Sequence, residues 1–117
     1  MNRRQTGSEY EQKAAQYLQA NGVHVLELNY RNRKGEIDLI AHDGDYLVFV
    51  EVKYRKDTCK GAPEEAVNYR KRQNICRVAD YYRMTHGISE FTPIRYDVIA
   101  FCSDEVIWHQ NAFEHVW

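Results

Sequence analysis

One stretch restricts the folds open to this chain more than any other. Residues 47–50 read LVFV, apolar at every position, and continue at once into Glu51-Val52-Lys53. A strand that is apolar on both faces must be covered on both faces, so the stretch predicts a central strand with helices on each side of a sheet. Residues two apart on a strand share a face. Glu51 and Lys53 therefore continue one apolar face, which is typical of a core that opens into a polar site at a strand's end.

The remaining patterns predict an α/β domain, a mixed β-sheet flanked by helices in the order α-β-β-β-α-β-β. The predicted elements are a helix over 8–20, strands over 23–29, 36–42 and 46–54, a helix over 63–86, and strands over 94–101 and 106–109, followed by a terminal turn over 111–113. Ser8 is predicted to cap the first helix, with Glu11 completing a capping box and Gly22 ending the helix. Pro63 predicts the start of the second helix and Gly87 its end.

Length, net charge and cysteine content limit the kinds of protein that this chain can be. A chain of 117 residues is expected to form a single domain over residues 1–117, since roughly 60–70% of the unfolded surface of a chain this size is buried in one core. The net charge of −1 means that any contact with nucleic acid comes from a local basic patch. Three cysteines without regular spacing argue against a disulfide framework and for a reducing cytoplasm. With no long apolar segment, we expect a cytoplasmic protein and no membrane partner.

A hairpin signal connects the second and third predicted strands. Asp43-Gly44 favours a two-residue loop, with residue 42 paired to residue 45. In that register the even-numbered residues of the second strand share a face with the odd-numbered residues of the third. Asp38 then joins Glu51 and Lys53 on one face. A slip of one residue would reverse this, so the prediction depends on the turn.

Two carboxylates on one face repel each other, and at about 4 Å and an effective dielectric near 20 the cost is roughly 4 kcal/mol. A lysine or a divalent cation relieves the repulsion, and carboxylate oxygens suit Mg²⁺ or Mn²⁺. A metal held by Asp38 and Glu51 would activate water and neutralise charge on a phosphodiester, while Lys53 would orient the water or stabilise the transition state. Spacing alone leaves open a second interpretation, a solvated hairpin edge with a cross-strand Asp–Lys pair.

Other charged residues also have two interpretations each. The pattern favours Glu11 as a capping-box residue; alternatively it lies on the helix face of Leu18 and reaches the sheet as a further metal ligand. Lys71 shares the inward face of the second helix, where a snorkelling lysine is favoured over a phosphate contact. Arg95 and Asp97 are expected to form a structural pair, or else to border the site.

Basic residues gather around the predicted site on both hairpin strands. Such charges are usually solvated surface. Their position here favours a rim that binds a phosphate backbone, with Tyr30 and Tyr54 as stacking platforms. The expected nucleic-acid contacts are Arg31, Arg33, Lys34, Arg55, Lys56 and Lys71.

Several blocks of the sequence resemble one known family. They are Gly7-x-x-x-Glu11-x-x-Ala14, Gly35-Glu36-Ile37-Asp38-Leu39-Ile40, Phe49-Val50-Glu51-Val52-Lys53-x-Arg55, then Lys71, and Arg95-Tyr96-Asp97. In this order and spacing they are similar to the YraN-type family of uncharacterised bacterial proteins, from about Gly7 to Phe113. That family resembles the PD-(D/E)xK nuclease superfamily, whose restriction-endonuclease-like core is a mixed sheet flanked by helices.

The resemblance implies Asp38 and Glu51 as metal ligands, Lys53 as the catalytic lysine and Glu11 as the helix-one acid. Ile37 stands where the superfamily name expects proline. We therefore expect a Mg²⁺- or Mn²⁺-dependent endonuclease acting on DNA or structured RNA. The alternatives are a non-catalytic nucleic-acid-binding module of the same fold and an interaction protein with a structural carboxylate cluster. A domain this small is expected to need a homodimer or another partner to engage a long duplex.

Overall fold

A computed structural model describes residues 3–55, 67–103 and 105–117 of the chain, with the backbone alone for 3–8. The elements are α1 (Arg3–Ala20), β1 (His24–Asn32), β2 (Gly35–Asp43), β3 (Tyr46–Arg55), α2 (Tyr69–Thr85), β4 (Ile94–Cys102) and β5 (Glu105–Phe113). This order confirms the predicted α-β-β-β-α-β-β arrangement. The strands form one mixed sheet in the order β1-β2-β3-β4-β5, with β3 and β4 parallel and the other neighbours antiparallel.

The central strand is β3, and it is buried from Leu47 to Glu51. Phe49 packs into a core between the sheet and α2, whereas Val50 packs into a second core between the sheet and α1. Alternate residues of one strand thus serve two cores, as a strand that is apolar on both faces requires. The predicted covering of the sheet by helices on both sides is confirmed.

The β2–β3 turn differs by one residue from its prediction. Asp43 pairs with Tyr46, so the loop is Gly44-Asp45 and the prediction of Asp43-Gly44 was wrong. Gly44 has φ +59°, a conformation that glycine adopts without steric cost. The loop still has two residues and lies one position further along, so even-numbered β2 residues still pair with odd-numbered β3 residues.

The first helix begins earlier than predicted. It starts at Arg3, so Ser8 lies inside it and cannot be its N-cap, and the predicted capping box with Glu11 was wrong. An N-cap needs a non-helical backbone, and the arginines and glutamine before Ser8 are good helix formers that extend the helix past it. The predicted end is confirmed, since Gly22 has φ +83° just beyond Ala20.

The second helix begins at Tyr69, where Asn68 is the N-cap and its side chain accepts a hydrogen bond of 2.9 Å from the backbone N–H of Lys71. The predicted start at Pro63 lies outside the described residues. A helix running continuously from there was nevertheless wrong, because Val67 and Asn68 are not helical. Asparagine competes locally for backbone donors, and for that reason it favours a helix start over a helix interior.

The last strand is longer than predicted. β5 runs to Phe113, which pairs with Tyr96, so the predicted terminal turn over 111–113 was wrong. The β4–β5 register shifts between Tyr96 and Val98, and Asn111 has φ +54°. Asparagine tolerates this left-handed conformation, and the bulge lets the strand continue past it.

Two cysteines lie in described strands or helices, and they differ in whether the sulfur is disulfide-bonded. Cys102, at the end of β4, is disulfide-bonded, whereas Cys76 on α2 is a free, buried thiol. Cys59 lies outside the described residues. The prediction against a disulfide was therefore wrong, because the spacing of cysteines along the chain does not limit which thiols the fold brings together. In the described part of the chain, every helix is too short or too polar to cross a membrane.

Candidate functional site

The site begins where the β2–β3 ladder ends. The last backbone pair is Leu39 with Val50. Beyond it, Asp38 Oδ2 accepts a hydrogen bond of 2.8 Å from the backbone N–H of Val52. The carboxylate of Asp38 is thus fixed to the backbone of β3, where it interacts with the carboxyl group of Glu51.

Glu51 is a buried acid between two lysines. The residue is 6% exposed. Its Oε1 lies 3.5 Å from Lys53 Nζ and 3.8 Å from Lys71 Nζ. The lysine side chains are 34% and 37% exposed, so solvent screens their charges in part. The structure therefore brings Lys71 into the site as a partner of Glu51, which a lysine snorkelling to solvent would not be.

Asp38 is the shared neighbour of two other acids, Glu11 on α1 and Glu51 on β3. Burial raises the pKa of Glu11 to about 7, and the charge of Asp38 and a hydrogen bond with its carboxyl add to the rise. Burial also raises the pKa of Glu51 to about 7; the charge of Asp38 adds to the rise, while Lys71 and Lys53 oppose it. Burial and the neighbouring Asp38 thus favour the protonated forms of Glu11 and Glu51 up to about pH 7.

The donor chemistry of these acids fits a hard divalent cation. Glu11, Asp38 and Glu51 offer carboxylate oxygens alone, the ligands that Mg²⁺ and Mn²⁺ prefer. A cation would replace the protons that the crowded acids otherwise retain. Among the described residues, no group of three His, Cys, Asp or Glu side chains is arranged so that it could hold a metal ion. The three acids therefore fit a metal by the chemistry of their oxygens and not by their present arrangement.

Of the predicted basic rim, Arg31 lies next to the acids. Its Nε is 3.1 Å from Glu36 Oε2, and its positive charge lowers the pKa of Glu11. Arg33 and Lys34 are exposed in the turn after β1. Lys34 lines a surface cavity together with α2 residues such as Arg77. The rim thus begins at the acids with Arg31 and extends toward α2.

The other predicted rim residues lie at the end of β3 and on α2. Arg55 is partly buried at the end of β3 and interacts with neighbouring groups. Lys56 lies outside the described residues. Lys71 contacts Glu51. At this end of the sheet, the basic rim and the acids are therefore neighbours.

An aromatic pair stands beside the acids, and one of its members was not predicted. The rings of Tyr10 and Tyr54 stack with centroids 4.6 Å apart, and Lys13 Nζ lies 5.0 Å from the Tyr10 centroid. Tyr54 is 47% exposed, as a stacking platform requires. Tyr30 instead packs edge-on against Tyr82 of the core, at 5.2 Å. No local pattern singles out Tyr10, because its contact with Tyr54 depends on how α1 docks on the sheet.

Arg95 and Asp97 form the expected structural pair. Arg95 donates from Nε and Nη2 to Asp97 at 2.9 and 3.0 Å, and from Nη2 to Asp43 at 2.8 Å. Asp97 is 0% exposed and also accepts from Trp108 Nε1 at 2.9 Å. On β4 these two residues alternate with residues that face α2, so they lie on the opposite face from Glu51. The alternative that they border the site was wrong.

The fold and the site define a class of protein, an α/β domain with a mixed sheet that carries acids and lysines at the end of its β2–β3 ladder. Comparison with known sequences gives the family. The model of the uncharacterised protein family UPF0102 matches residues 10–101, and the chain belongs to that family. A UPF0102 protein of Lachnoclostridium phytofermentans is 44% identical over 114 residues, covering 97% of each chain. One from Aeromonas hydrophila is 45% identical over 108 residues, covering 92% of this chain and 83% of the relative.

Proposed function

We propose that this protein is a cytoplasmic, metal-dependent nuclease of the PD-(D/E)xK kind that hydrolyses phosphodiester bonds in DNA or structured RNA. The observation that carries the proposal is the position of Asp38, which is tied to the backbone of β3 and lies beside both Glu11 and Glu51. Lys53 and Lys71, whose ammonium groups lie within 4 Å of Glu51 Oε1, add positive charge beside these acids.

Asp38 and Glu51 would hold Mg²⁺ or Mn²⁺, with Glu11 as a further ligand. A bound divalent ion supplies an activated water and neutralises charge that develops on the phosphate. The acids must be ionised to bind it. Because the pKa of Glu11 and of Glu51 lies at about 7 without metal, affinity should rise as the pH passes from 6 to 8.

The two lysines have different positions and different proposed roles. Lys53 follows Glu51 on β3 by two residues, so both point from the same face toward the opening. A partly exposed ammonium there can donate hydrogen bonds to a phosphate oxygen or to the attacking water. Lys71 reaches the same oxygen of Glu51 from α2. It holds the carboxylate in position and adds positive charge for a phosphate.

Two features favour nucleic acid as the substrate. Arg31 is exposed beside the acids, and phosphate binding depends on such local cations in a chain whose net charge is −1. The exposed ring of Tyr54 lies on the same strand as Lys53 and offers a surface on which a base can stack.

The arrangement argues against a purely structural role for the acids. A cluster kept for stability would pair each buried charge, since an uncompensated one is costly. Here burial, and after it the charge of Asp38, raises the pKa of Glu11 and of Glu51, so ionising them costs stability that a bound cation would restore. A non-catalytic binding module would keep the same residues and differ only in turnover.

The test is a cleavage screen over duplex, single-stranded, flap and junction substrates with Mg²⁺ or Mn²⁺. The wild type should cut at least one substrate, and chelation should stop the reaction. Lys53→Ala should slow it by about a hundredfold or more. Glu90→Gln, which removes an exposed charge from the loop before β4, should leave the rate unchanged. Binding without cleavage of any substrate would favour the binding module, and an unchanged rate in Lys53→Ala would refute the assigned chemistry.

A further inference from the structure

Positive charge is concentrated on α2. The helix holds five basic residues and one acid, a net charge of +4 in a chain whose net charge is −1. Its buried residues lie on one side, and polar residues three or four positions apart follow one another along the other side. We call these residues the α2 stripe: Arg70, Asn74, Arg77 and Tyr81. The first three are exposed and Tyr81 is partly buried.

The arginines of the α2 stripe are available to a ligand. Neither Arg70 nor Arg77 forms an ion pair with another described residue. The one acid of the helix, Asp80, is already engaged, since it lies 3.6 Å from Arg83 Nη1 and 3.0 Å from His115 Nε2. The stripe therefore presents positive charge that the described part of the fold leaves uncompensated.

The charge of Arg70 does not serve the helix itself. The first turn of α2 contains basic residues and no acid. The amino-terminal end of a helix carries a partial positive charge, so cations there are unfavourable. Lys71 in the same turn has a partner in Glu51, whereas Arg70 has none among the described residues. A role outside the helix accounts for Arg70.

The β1–β2 turn adds Lys34 to the α2 stripe. Asn32 Nδ2 donates to the backbone carbonyl of Val78 at 3.2 Å, and Asn32 Oδ1 accepts from the backbone N–H of Lys34 at 2.8 Å. Gly35 lies so near α2 that a Cβ atom on it would be 3.1 Å from Val78 Cγ2. The turn is thus held against the helix. Lys34 is exposed there and lines a cavity of about 380 Å³ together with Arg77.

The α2 stripe begins beside the acids and leads away from them. Arg70 is next to Lys71, whose ammonium group lies 3.8 Å from Glu51 Oε1. With a rise of about 1.5 Å per residue, Arg77 lies about 10 Å further along the helix than Arg70. One strand of a duplex advances about 3.4 Å per phosphate, so this distance corresponds to roughly three phosphates. A nucleic-acid backbone on the stripe can therefore continue to the acids.

The side chains of the α2 stripe favour a duplex over a single strand. Single strands bind where bases can stack on exposed aromatic rings. The ring of the stripe, Tyr81, is partly buried, and the exposed Tyr69 points about 100° away from Arg70 around the helix. The exposed ring of Tyr54 stacks on Tyr10 of α1, not on α2. Cations without an open ring suit the phosphates of a duplex, whose bases are already stacked.

We propose that the α2 stripe and Lys34 bind the phosphate backbone of a duplex that flanks the bond to be cut. The substrate of the proposed nuclease is then double-stranded on the α2 side of the acids. The inference rests on the proposed function for the place of the cut, whereas binding to the stripe needs neither metal nor turnover. Because backbone contacts carry no direct sequence information, binding should be similar for duplexes of different sequence.

The test is fluorescence anisotropy of the full chain with DNA and RNA duplexes and with single strands of the same length, in chelator and at several salt concentrations. At least one duplex should bind more tightly than its single strands. Arg77→Gln should lower the log–log salt slope by about 0.9, the value for one duplex phosphate contact. Arg70→Gln combined with Arg77→Gln should lower it by about 2 and weaken binding at least about tenfold at low salt.

Arg72→Gln is the matched control, because it removes the same charge from the same helix. Arg72 lies away from the stripe and lines a cavity with C-terminal residues such as Phe113. This variant should keep the slope of the wild type. If Arg72→Gln lowers the slope as much as Arg77→Gln does, net charge alone is responsible and the stripe is refuted.

Other outcomes would overturn the choice of ligand. They are the absence of duplex binding and an affinity for single strands that equals the affinity for duplexes. A third is binding to vesicles of phosphatidylserine and phosphatidylcholine, measured by sedimentation, without binding to a duplex. That result would assign the stripe to a lipid surface.

Two further measurements separate the stripe from structural and catalytic roles. Arg70→Gln should leave the melting temperature unchanged or raise it, because a cation in the first turn opposes the helix dipole; a marked drop would show that Arg70 stabilises the fold. Lys53→Ala should keep duplex binding. Cleavage with an unchanged KM in the combined Arg70→Gln and Arg77→Gln variant would refute the stripe and leave the nuclease standing. Duplex binding through the stripe without cleavage would do the reverse.

Discussion

Replacing Glu51 by glutamine removes a carboxylate that the fold keeps 6% exposed beside a second acid. The pKa of Glu51 is raised from 4.5 to about 7 in the folded, metal-free protein. A folded-state pKa above the unfolded one means that the folded state binds the proton more tightly. The contribution of Glu51 to the unfolding free energy is therefore most favourable below pH 4.5 and is lost as the pH rises through about 7. Glutamine does not titrate, so Glu51→Gln should escape this loss.

The size of the effect follows from the shift. Each pKa unit corresponds to about 1.4 kcal/mol, so a rise from 4.5 to about 7 costs about 3 kcal/mol once Glu51 is fully ionised. Its side chain is 7% exposed, which leaves little solvent screening. The shift already includes the attraction of Lys53 and Lys71, which lower the pKa of Glu51 against burial and Asp38. We expect Glu51→Gln to gain about 3 kcal/mol at pH 8.5 and almost nothing at pH 4.5.

The assay is urea unfolding with chelator present, at pH 4.5 and at pH 8.5, for the wild type and Glu51→Gln. Glu90→Gln is the matched control, an exposed residue on the loop before β4, and should change stability little at either pH. A gain of the same size at both pH values would show that the carboxylate's charge is not its cause. Destabilisation at pH 8.5 would refute the reasoning, since the ionised acid would then be a net contributor to the fold.

Two further predictions concern other parts of the molecule. Asp97→Asn should lower the unfolding free energy by about 3 kcal/mol in urea titrations, because it removes the buried carboxylate that Arg95 and Trp108 both contact and leaves Arg95 with Asp43 as its acidic partner among the described residues; a loss under 1 kcal/mol would contradict the structural role. Replacing Arg55 and Lys56 by alanine should weaken binding to all nucleic-acid sequences alike and flatten its salt dependence, which runs at about −0.9 per duplex phosphate contacted. Fluorescence anisotropy at several salt concentrations measures this, and an unchanged slope would remove the pair from the interface.

The pairing of even-numbered β2 residues with odd-numbered β3 residues could be predicted because it depends on parity alone. The predicted register paired 42 with 45, whereas the structure pairs Asp43 with Tyr46. Both loops have two residues, so each β2 residue gains a partner two positions further along β3 and keeps its face. The ladder ends at Leu39 and Val50, so the position of Asp38 depends on its side-chain contacts beyond that pair.

Features that depend on how elements dock could not be read from the sequence. The capping-box pattern assigned Glu11 a local role, yet its neighbour is Asp38 on β2. Helix propensity and capping are local quantities, whereas this contact depends on the position of α1 against the sheet. The end of β5 was mispredicted for a similar reason, since the register shift beside Tyr96 lets the strand continue through Asn111 where a turn was expected.

Titration with Mn²⁺ tests the central claim most directly, because it asks whether the acids around Asp38 form a metal site before any substrate is chosen. The wild type, Asp38→Asn and Asp45→Asn are compared at pH 8 by paramagnetic broadening of backbone amide signals. Asp45 lies exposed in the β2–β3 turn and provides the matched control. The account predicts broadening centred on Asp38 and Glu51 in the wild type and in Asp45→Asn, and its loss in Asp38→Asn. Equal broadening in all three proteins, or broadening centred elsewhere, would contradict it.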